Sequence, residues 1–392
     1  MSKGQISSTC FAALRVAVVH EWFTAIAGSE RVVEQILHVF PQADVFVAYA
    51  DPDTVKGTRF LQGRRLTSSF ISSLPFANKL YRSYLPLMPL AVEQFDLSSY
   101  DIVISSSHAV SKGVLTGPDQ LHVSYIHSPI RYAWDLQHQY LRESGLSRGI
   151  KGWFAKWSLH KIRMWDYRTA AGVDYFIANS RFIARRIRKV YRRDSDVIYP
   201  PVDVEAFQYC SEKRDYYLAA SRLVPYKRMD LIVRAFAKMA DKRLIVIGDG
   251  PEMPKLRAIA TPNISLLGYQ SFEELKRHMQ RARGFVFAAE EDFGITPVEA
   301  QACGTPVIAY GKGGSLETLI DSPDSEIATG IWFSEQTTDS IIDAVSRFES
   351  LEVPISAQAC RKHAERFSIE RFRDEFKDFV SERWIEFKAD LS

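Results

Sequence analysis

Short apolar runs alternate with longer amphipathic stretches along most of the chain. The apolar runs predict strands at residues 15–19, 45–50, 101–105, 123–126 and 175–178 in the first half, and at 216–220, 243–248, 264–267, 285–289 and 307–310 in the second. Helical spacing of apolar residues predicts helices at 31–39, 151–171, 181–192, 229–239, 273–283 and 369–391. Because strands alternate with helices in both halves, the pattern predicts an α/β fold with two Rossmann-like parallel-sheet domains.

The rigid segment Pro200-Pro201-Val202-Asp203 predicts a link between two domains. The length of 392 residues agrees with this division, because it exceeds the usual size of a single core. We expect an N-terminal domain over residues 1–200 and a C-terminal domain over 201–369. The final helix, residues 370–392, is rich in phenylalanine and is expected to pack back onto the first domain.

Composition narrows the class of protein. With 46% hydrophobic and 25% charged residues, the chain has the composition of a soluble globular protein. A net charge of +3 leaves any attraction to phosphate or membranes to local patches, and we expect no nucleic acid partner.

The four cysteines form no CxxC pair, which argues against a zinc site and fits a reducing cytosol. No apolar window approaches the ~20 residues of a membrane span, and we interpret residues 10–19 as a tip leading into the first strand.

The second half places polar residues directly after two predicted strands. Glu291 follows the strand at 285–289, and Thr296, Pro297 and Glu299 have the spacing of an N-cap, a first helical residue and a capping-box glutamate. Gly294 lies just before that helix, where backbone N–H groups favour phosphate or sugar hydroxyls.

Arg222 and Lys227 follow the strand at 216–220, so two cations are expected at the same sheet edge. Together with the glycine loop they predict a site for a diphosphate.

The first half offers weaker signals. Gly28 and Ser29 form a loop between the first strand and helix, but the loop is not GxGxxG, so a dinucleotide site is not indicated. His127 ends a predicted strand ahead of a proline, a position that favours a functional role. Asp51-Pro52-Asp53 resembles a metal-binding DxD, although a turn is the better interpretation.

Two stretches mix basic and aromatic residues. The first, residues 59–90, could dock on an anionic bilayer or a lipid-linked substrate, or could cover the core of the first domain. The second is the helix at 151–171, whose Trp153, Trp157 and Trp165 we predict to be core packing.

Glu291 and Glu299, separated by seven residues with Phe293-Gly294 between them, resemble the E-x7-E signature of retaining glycosyltransferases of family 4, which have the two-domain GT-B fold. The Arg222 and Lys227 pair and residues 178–180, 248–252 and 311–317 also fall where that family has comparable pieces. Residues 20–22, 127–132 and 333–337 look most like the bacterial O-antigen and exopolysaccharide mannosyltransferases. One departure is Thr296, where the family more often has proline, so the loop beside the sugar is expected to follow a different path.

The resemblance implies a role for each candidate residue. His127 would lie at the reacting face of a central cleft between the domains, and Gly28 and Ser29 would admit a phosphate or the acceptor. The donor would be held by Arg222, Lys227, Gly250, Glu291, Phe293, Gly294, Ile295, Thr296 and Glu299. Within that set, Arg222 and Lys227 would neutralise the diphosphate, Glu291 would hold the hexose and act in catalysis, and Glu299 would bind the ribose. For Glu299, a role as the capping-box glutamate of its helix stays open as an alternative to ribose binding.

The resemblance also implies a reaction. A hexose, mannose from GDP-mannose, would be transferred without a metal or cofactor to a polyprenyl-diphosphate-linked glycan during bacterial O-antigen, capsule or exopolysaccharide synthesis. The protein would act in the cytoplasm, at the cytoplasmic face of the inner membrane. Three alternatives remain: the same fold with a UDP-sugar donor, a Rossmann dehydrogenase, which the missing GxGxxG disfavours, and a non-catalytic scaffold that binds sugar nucleotides or glycans.

Overall fold

The computed structural model describes residues 13–391, so the beginning of the predicted N-terminal tip lies outside the described residues. The chain divides into two compact units, each with its own sheet. The first unit extends to Tyr199 and also includes the chain from Phe372 onward, and the second is Pro200–Arg371. The prediction of two Rossmann-like parallel-sheet domains is confirmed.

The first unit has seven parallel strands in the order β3-β2-β1-β4-β5-β6-β7. They are β1 Val16–Phe23, β2 Asp44–Ala50, β3 Leu66–Ser68, β4 Ile102–Ser107, β5 Leu121–Ile126, β6 Tyr175–Ala178 and β7 Asp196–Val197. The central strands are buried on both faces, which explains why their sequences are apolar runs and not alternating patterns.

The helices of the first unit connect these strands. They are α1 Gly28–Val39, α2 Pro52–Gly57, α3 Ala77–Leu80, α4 Met88–Glu93, α5 Gln137–Glu143, α6 Gly149–Thr169 and α7 Arg181–Tyr191. Short 3-10 helices lie at Arg59–Leu61, Phe70–Ser73, Tyr81–Leu87, Ser111–Gly113 and Ala170–Gly172.

The second unit has six parallel strands in the order β10-β9-β8-β11-β12-β13. They are β8 Tyr217–Ala220, β9 Leu244–Ile247, β10 Ile264–Gly268, β11 Gly284–Phe287, β12 Val307–Tyr310 and β13 Gly330–Phe333. Its helices are α8 Met229–Lys238, α9 Met253–Ile259, α10 Phe272–Arg281, α11 Ile295–Ala302, α12 Ser315–Thr318, α13 Thr338–Glu349 and α14 Ala357–Ala364, with 3-10 helices at Pro225–Lys227 and Glu365–Phe367.

The last helix, α15 Ile369–Asp390, begins in the second unit and continues into the first. Within the first unit its phenylalanines join the core beneath the sheet. The ring of Phe376 lies 6.5 Å from that of Phe40, and the ring of Phe372 lies 5.9 Å from that of Tyr125. Since Phe372 and Phe376 are fully buried, this helix completes the hydrophobic core of the first unit.

The structure answers two questions that the sequence of the first unit raised. Asp51 caps α2, its Oδ2 accepting from the Thr54 N–H at 2.9 Å, so Asp51-Pro52-Asp53 is the start of a helix and not a metal-binding DxD. Trp153 and Trp157 are exposed, so their predicted core packing is wrong. The buried residues of α6 are Gly152, Ser158, Leu159, Ile162 and Asp166, and both tryptophans fall on the other face.

We expect Phe376→Ala to lower the free energy of unfolding by about 3–5 kcal/mol, because it removes a fully buried ring from the core. Urea unfolding followed by circular dichroism measures the change. The control Ile385→Ala alters an exposed residue of the same helix and is expected to stay within about 0.5 kcal/mol of the wild type. Equal stabilities for the two variants would contradict the role given to α15.

Candidate functional site

The strand order of each sheet changes direction at one point, between β1 and β4 in the first unit and between β8 and β11 in the second. Connections leave such a point toward opposite faces, so a crevice opens at the carboxyl ends of the strands, where open α/β sheets bind ligands. The predicted site residues of each unit cluster around these strand ends.

In the first unit, β1 continues past its predicted end and includes His20 and Glu21, both fully buried. The sequence predicts that this polar pair ends the strand. Instead, hydrogen bonds and ion pairs inside the unit stabilise the buried pair, so the strand continues. His20 lies in register with Val47 on β2 and Ser106 on β4, and its Nδ1 is 3.1 Å from the backbone oxygen of Ser106.

The carboxylate of Glu21 is enclosed by the turn that follows β4. Its Oε1 accepts from the backbone N–H groups of residues 108–111 at 2.9–3.2 Å and from the hydroxyls of Ser107 and Ser111 at 3.3 and 2.9 Å. The side chain of His108 supplies the counter-charge, with Nδ1 3.1 Å from Oε2. This cage fixes the end of β1 to the end of β4.

Glu21 and His108 shift each other's pKa. Burial by itself raises the pKa of a carboxyl group, but attraction to His108 and His20 and the backbone donors prevail and hold the pKa of Glu21 well below its ordinary value. Burial by itself lowers the pKa of His108, and the charge of Glu21 outweighs it, so the pKa of His108 is raised. The pair therefore favours carboxylate and imidazolium.

His127, the predicted catalytic histidine, lies beside this pair. Its ring centroid is 6.2 Å from that of His108, and its Nε2 is 2.8 Å from Oγ of Ser106. Burial and the neighbouring His108 lower the pKa of His127 to about 3. His127 is therefore a neutral imidazole near pH 7, suited to hydrogen bonding and not to donating a proton as an imidazolium.

Gly28 and Ser29 form the first turn of α1, which begins three residues before its predicted start. The next residue, Glu30, uses Oε2 to accept from the Ala27 N–H at 3.0 Å, and its Oε1 lies 3.5 Å from Nε2 of His20. Burial raises the pKa of Glu30, but the contact with His20 prevails and lowers it to about 2. Glu30 thus connects the predicted glycine loop with the histidines.

In the second unit, Lys227 and Glu291 form an ion pair at the carboxyl end of the sheet. Lys227 ends the 3-10 helix after β8, and Glu291 lies in the loop after β11. Arg222, on the β8 loop, is exposed, and its Nη2 lies 3.4 Å from the hydroxyl of Tyr226. Two of the predicted donor residues therefore meet directly, and the guanidinium of a third lies at the surface.

Two glycines allow the loops at the carboxyl edge of the second sheet to come into close backbone contact. A Cβ on Gly250, where φ is +153°, would lie 2.5 Å from the carbonyl oxygen of Leu223. A Cβ on Gly314 would lie 2.3 Å from Cα of Phe293, and the Gly314 N–H donates to the carbonyl of Glu291 at 2.8 Å. The loop after β12 thereby holds Glu291 and its neighbours in place.

The helix that follows, α11, begins at Ile295 with Gly294 as its N-cap residue at φ 92°. The prediction of Thr296 as N-cap and Pro297 as the first helical residue is therefore wrong, because glycine takes the left-handed conformation and turns the chain earlier. Glu299 then lies five residues after the cap and not three, so it is not a capping-box glutamate. Its ribose-binding role stays a prediction.

The side chain of Phe293 is buried, with its ring 5.4 Å from that of Phe367. Any contact that Phe293 makes with a donor would therefore use its backbone. Gly294, Ile295 and Thr296 contribute the first N–H groups of α11, which lack partners within the helix by the geometry of helix ends. This is a backbone arrangement that suits an anion.

Sequence reasoning missed His108 and Glu30. The sequence feature that could have indicated a role for His108 is its position directly after the serines that end β4, a strand that neighbours β1. Glu30 lies three residues after Ala27, as a capping glutamate would, but alanine offers no side-chain acceptor and hides the pattern. The role of Glu21 as the centre of the cage also needed the three-dimensional neighbours.

Two family models match consecutive parts of the chain. The model described as Glycosyltransferase Family 4 matches residues 26–206, and the model described as Glycosyl transferases group 1 matches residues 204–367. The chain therefore carries a family 4 and a group 1 glycosyltransferase domain. The family 4 match includes His108 and His127, and the group 1 match includes Lys227 and Glu291.

Relatives of the two domains are glycosyltransferases by name. A D-inositol 3-phosphate glycosyltransferase of Mycobacterium marinum is 26% identical over 231 residues, 51% of this chain and 48% of that protein. An uncharacterized glycosyltransferase of Methanocaldococcus jannaschii is 31% identical over 160 residues, 40% of this chain and 45% of its own length. The chain spans about half the length of the curated relatives it matches.

Solved structures share the fold of the family 4 and group 1 domains. Anabaena HepE in complex with UDP has a TM-score of 0.68 at 15% identity, over 94% of this chain and 100% of that one. Sucrose-phosphate synthase from Thermosynechococcus elongatus has a TM-score of 0.68 at 17% identity, over 95% of this chain and 100% of that one. The architecture is that of GT-B glycosyltransferases, as the sequence resemblance predicts.

We expect Glu21→Gln to lower the free energy of unfolding at pH 7 by about 3–5 kcal/mol, because it removes a fully buried carboxylate and leaves the half-buried His108 without its counter-charge. The folded-state pKa of Glu21 lies below its unfolded value of about 4.3. Its contribution is therefore present above that value and is lost as the pH falls through the folded pKa. The difference between wild type and variant is thus largest near neutral pH and shrinks in acid.

Urea unfolding at a series of pH values measures this difference. Glu382→Gln, which changes an exposed carboxylate of α15, serves as the matched control and is expected to show no such trend. A Glu21→Gln protein as stable as the wild type at pH 7 would rule out a stabilising cage.

Proposed function

We propose that the protein is a retaining glycosyltransferase that uses a nucleoside diphosphate sugar. The observation that carries this proposal is the meeting of Lys227, Glu291 and the N-terminus of α11 at the switch point of the second sheet. A cation, a carboxylate and backbone donors are the groups that a sugar diphosphate requires. Departure of the nucleoside diphosphate builds negative charge on phosphate oxygens, and these fixed groups can stabilise that charge.

In the proposed mechanism the donor diphosphate binds Lys227 and breaks the ion pair of Lys227 with Glu291. Lys227 and Arg222 then neutralise the leaving group, and the first N–H groups of α11 donate hydrogen bonds to its phosphate oxygens. Glu291 is freed to accept hydrogen bonds from the hexose and to stabilise the positive charge that develops at the sugar. Glu299, one turn into α11, binds the ribose.

We assign His127 a hydrogen-bonding role in the reaction. Its low pKa keeps it neutral, and Ser106 occupies its Nε2, so Nδ1 is the ring nitrogen left for a substrate hydroxyl. The protonated partner in this region is His108, which Glu21 keeps charged. Gly28 and Ser29, at the start of α1, are assigned to a phosphate or to the acceptor.

For the donor we propose GDP-mannose, on the resemblance of residues 20–22, 127–132 and 333–337 to the bacterial mannosyltransferases. A UDP-sugar is the second candidate, because HepE, of the same fold, has been crystallised with UDP and glucose. The acceptor we propose is a polyprenyl-diphosphate-linked glycan of bacterial surface polysaccharide synthesis, used at the cytoplasmic face of the membrane. The names of the relatives make D-inositol 3-phosphate the acceptor to test beside it.

Calorimetric titration with GDP-mannose, UDP-glucose and UDP-N-acetylglucosamine tests the donor. We expect Arg222→Ala to weaken donor binding about tenfold or more, because a charge-assisted hydrogen bond to phosphate is worth about 1.5–3 kcal/mol. Arg257→Ala, which removes an exposed guanidinium from α9, is the matched control and is expected to bind as the wild type does. Binding of a UDP-sugar alone would overturn the mannosyl assignment, and binding of none would favour a scaffold.

Transfer of radiolabelled hexose to membrane extract or to inositol 3-phosphate tests the reaction. We expect Glu291→Gln to reduce kcat by about a hundredfold or more, because it removes a fixed charge that acts at the sugar. The folded state of the variant is checked by its thermal midpoint. Full transfer activity in this variant would contradict the proposed role of Glu291 and would be expected of a protein whose catalysis lies elsewhere.

A further inference from the structure

Helix α6 exposes a row of large apolar side chains to solvent. We call this row the α6 surface, and its members are Ile150, Trp153, Phe154, Trp157, Met164 and Tyr167. Ile150 is 87% exposed and Trp153 is 67% exposed. Successive members are one, three or seven residues apart, and these positions fall on one side of a helix over about 25 Å. Buried packing does not account for them.

The opposite side of α6 is fixed to the family 4 domain. Leu159 and Ile162 are buried in a cluster with Ile130 and Leu141. Gly152 packs so closely that a Cβ would lie 2.5 Å from the carbonyl oxygen of Leu146. The helix therefore cannot rotate to bury its aromatic side chains.

A buried ion pair holds the far end of α6. Nζ of Lys112 lies 2.8 Å from Oδ1 of Asp166, and the indole N–H of Trp134 donates to the same carboxylate at 2.7 Å. Gly113 lies against the ring of Trp165, where a Cβ would come within 2.2 Å of the indole. The exposed face is thus a constant feature of the folded unit.

The charges on α6 have one sign. Its single carboxylate, Asp166, is fully buried, so the helix exposes no acidic side chain. Lys151, Lys156 and Lys161 are exposed on the helix, and Nζ of Lys161 lies 5.9 Å from the ring centre of Trp157. Aromatic residues flanked by lysines are typical of helices that lie in the interface of an anionic bilayer.

We propose that the α6 surface docks the protein on anionic lipid, with the helix lying in the plane of the bilayer interface. The inference rests on the proposed function to the extent that a lipid-linked acceptor calls for a membrane surface. Tryptophan and tyrosine suit this depth, because their rings are apolar and their polar atoms reach water or headgroups. No helix among residues 13–391 is long and apolar enough to cross a membrane, so α6 lies on the bilayer and does not span it.

A second copy of the chain fits this surface less well. A two-fold symmetric contact through α6 would bring its exposed lysines from both copies together without exposed carboxylates on the helix to neutralise them. The stretch at residues 59–90 is also a weaker candidate. Its Ile71, Tyr81 and Met88 are buried, and Arg64 donates to the carbonyls of Leu37 and Phe60.

Flotation with vesicles of phosphatidylglycerol and phosphatidylcholine tests the proposal. We expect the wild type to float with mixed vesicles and far less with phosphatidylcholine alone. The double variant Trp153→Ala/Trp157→Ala should lose binding at least tenfold, and Lys151→Gln/Lys156→Gln/Lys161→Gln should lose the dependence on anionic lipid. The control Phe76→Ala/Leu90→Ala removes two other exposed apolar side chains of the same domain and should bind as the wild type does.

Two further measurements, donor titration and the oligomeric state in solution, make the outcome decisive. Donor titration on each variant separates this inference from the proposed function, because residues on α6 are expected to leave donor binding unchanged. A protein that binds donor but ignores anionic vesicles would overturn the docking surface and leave the function standing. Loss of flotation in the control as well as the α6 variants would overturn it too, as would a dimer in solution that Trp153→Ala/Trp157→Ala dissociates.

Discussion

Oε1 of Glu21 is the point on which the first unit depends. Four backbone N–H groups and two serine hydroxyls surround this one buried oxygen, so the charge that they stabilise ties the end of β1 to the turn after β4. A buried carboxylate is tolerated only when donors and a counter-charge compensate its lost hydration. Here the counter-charge is His108, so the same interaction that joins two strands also sets the charge of the ring beside His127.

The fold was predictable from the sequence because the central strands of its sheets are buried. Apolar runs such as those in β4, β5 and β11 need no knowledge of neighbours to be recognised, and their alternation with helices defines the parallel sheets. The end of β1 was not predictable in this way. His20 and Glu21 look like the end of a strand until Ser106 and residues 108–111, more than eighty positions away, supply their hydrogen bonds.

The site was predictable where residue type and spacing carry the chemistry, and unpredictable where backbone conformation does. Lys227 and Glu291 were placed at one edge from their positions after strands, and they form an ion pair there. The start of α11 was misplaced because its cap is Gly294, whose use of positive φ leaves no side-chain signature. Trp153 and Trp157 of α6 were misassigned for a related reason, since helical spacing gives a stripe but does not say which stripe faces inward, whereas Trp165 does pack against the core.

The buried contacts of Lys112 and Gly113 with α6 have a mechanical consequence. These two residues belong to the 3-10 helix Ser111–Gly113, and Ser111, at its start, also donates to Glu21. Rocking of α6 against the sheet would have to open that turn and expose a lysine and a carboxylate together. The turn therefore couples α6 to the cage around Glu21, so a displacement of the helix would disturb the ion pair between Glu21 and His108.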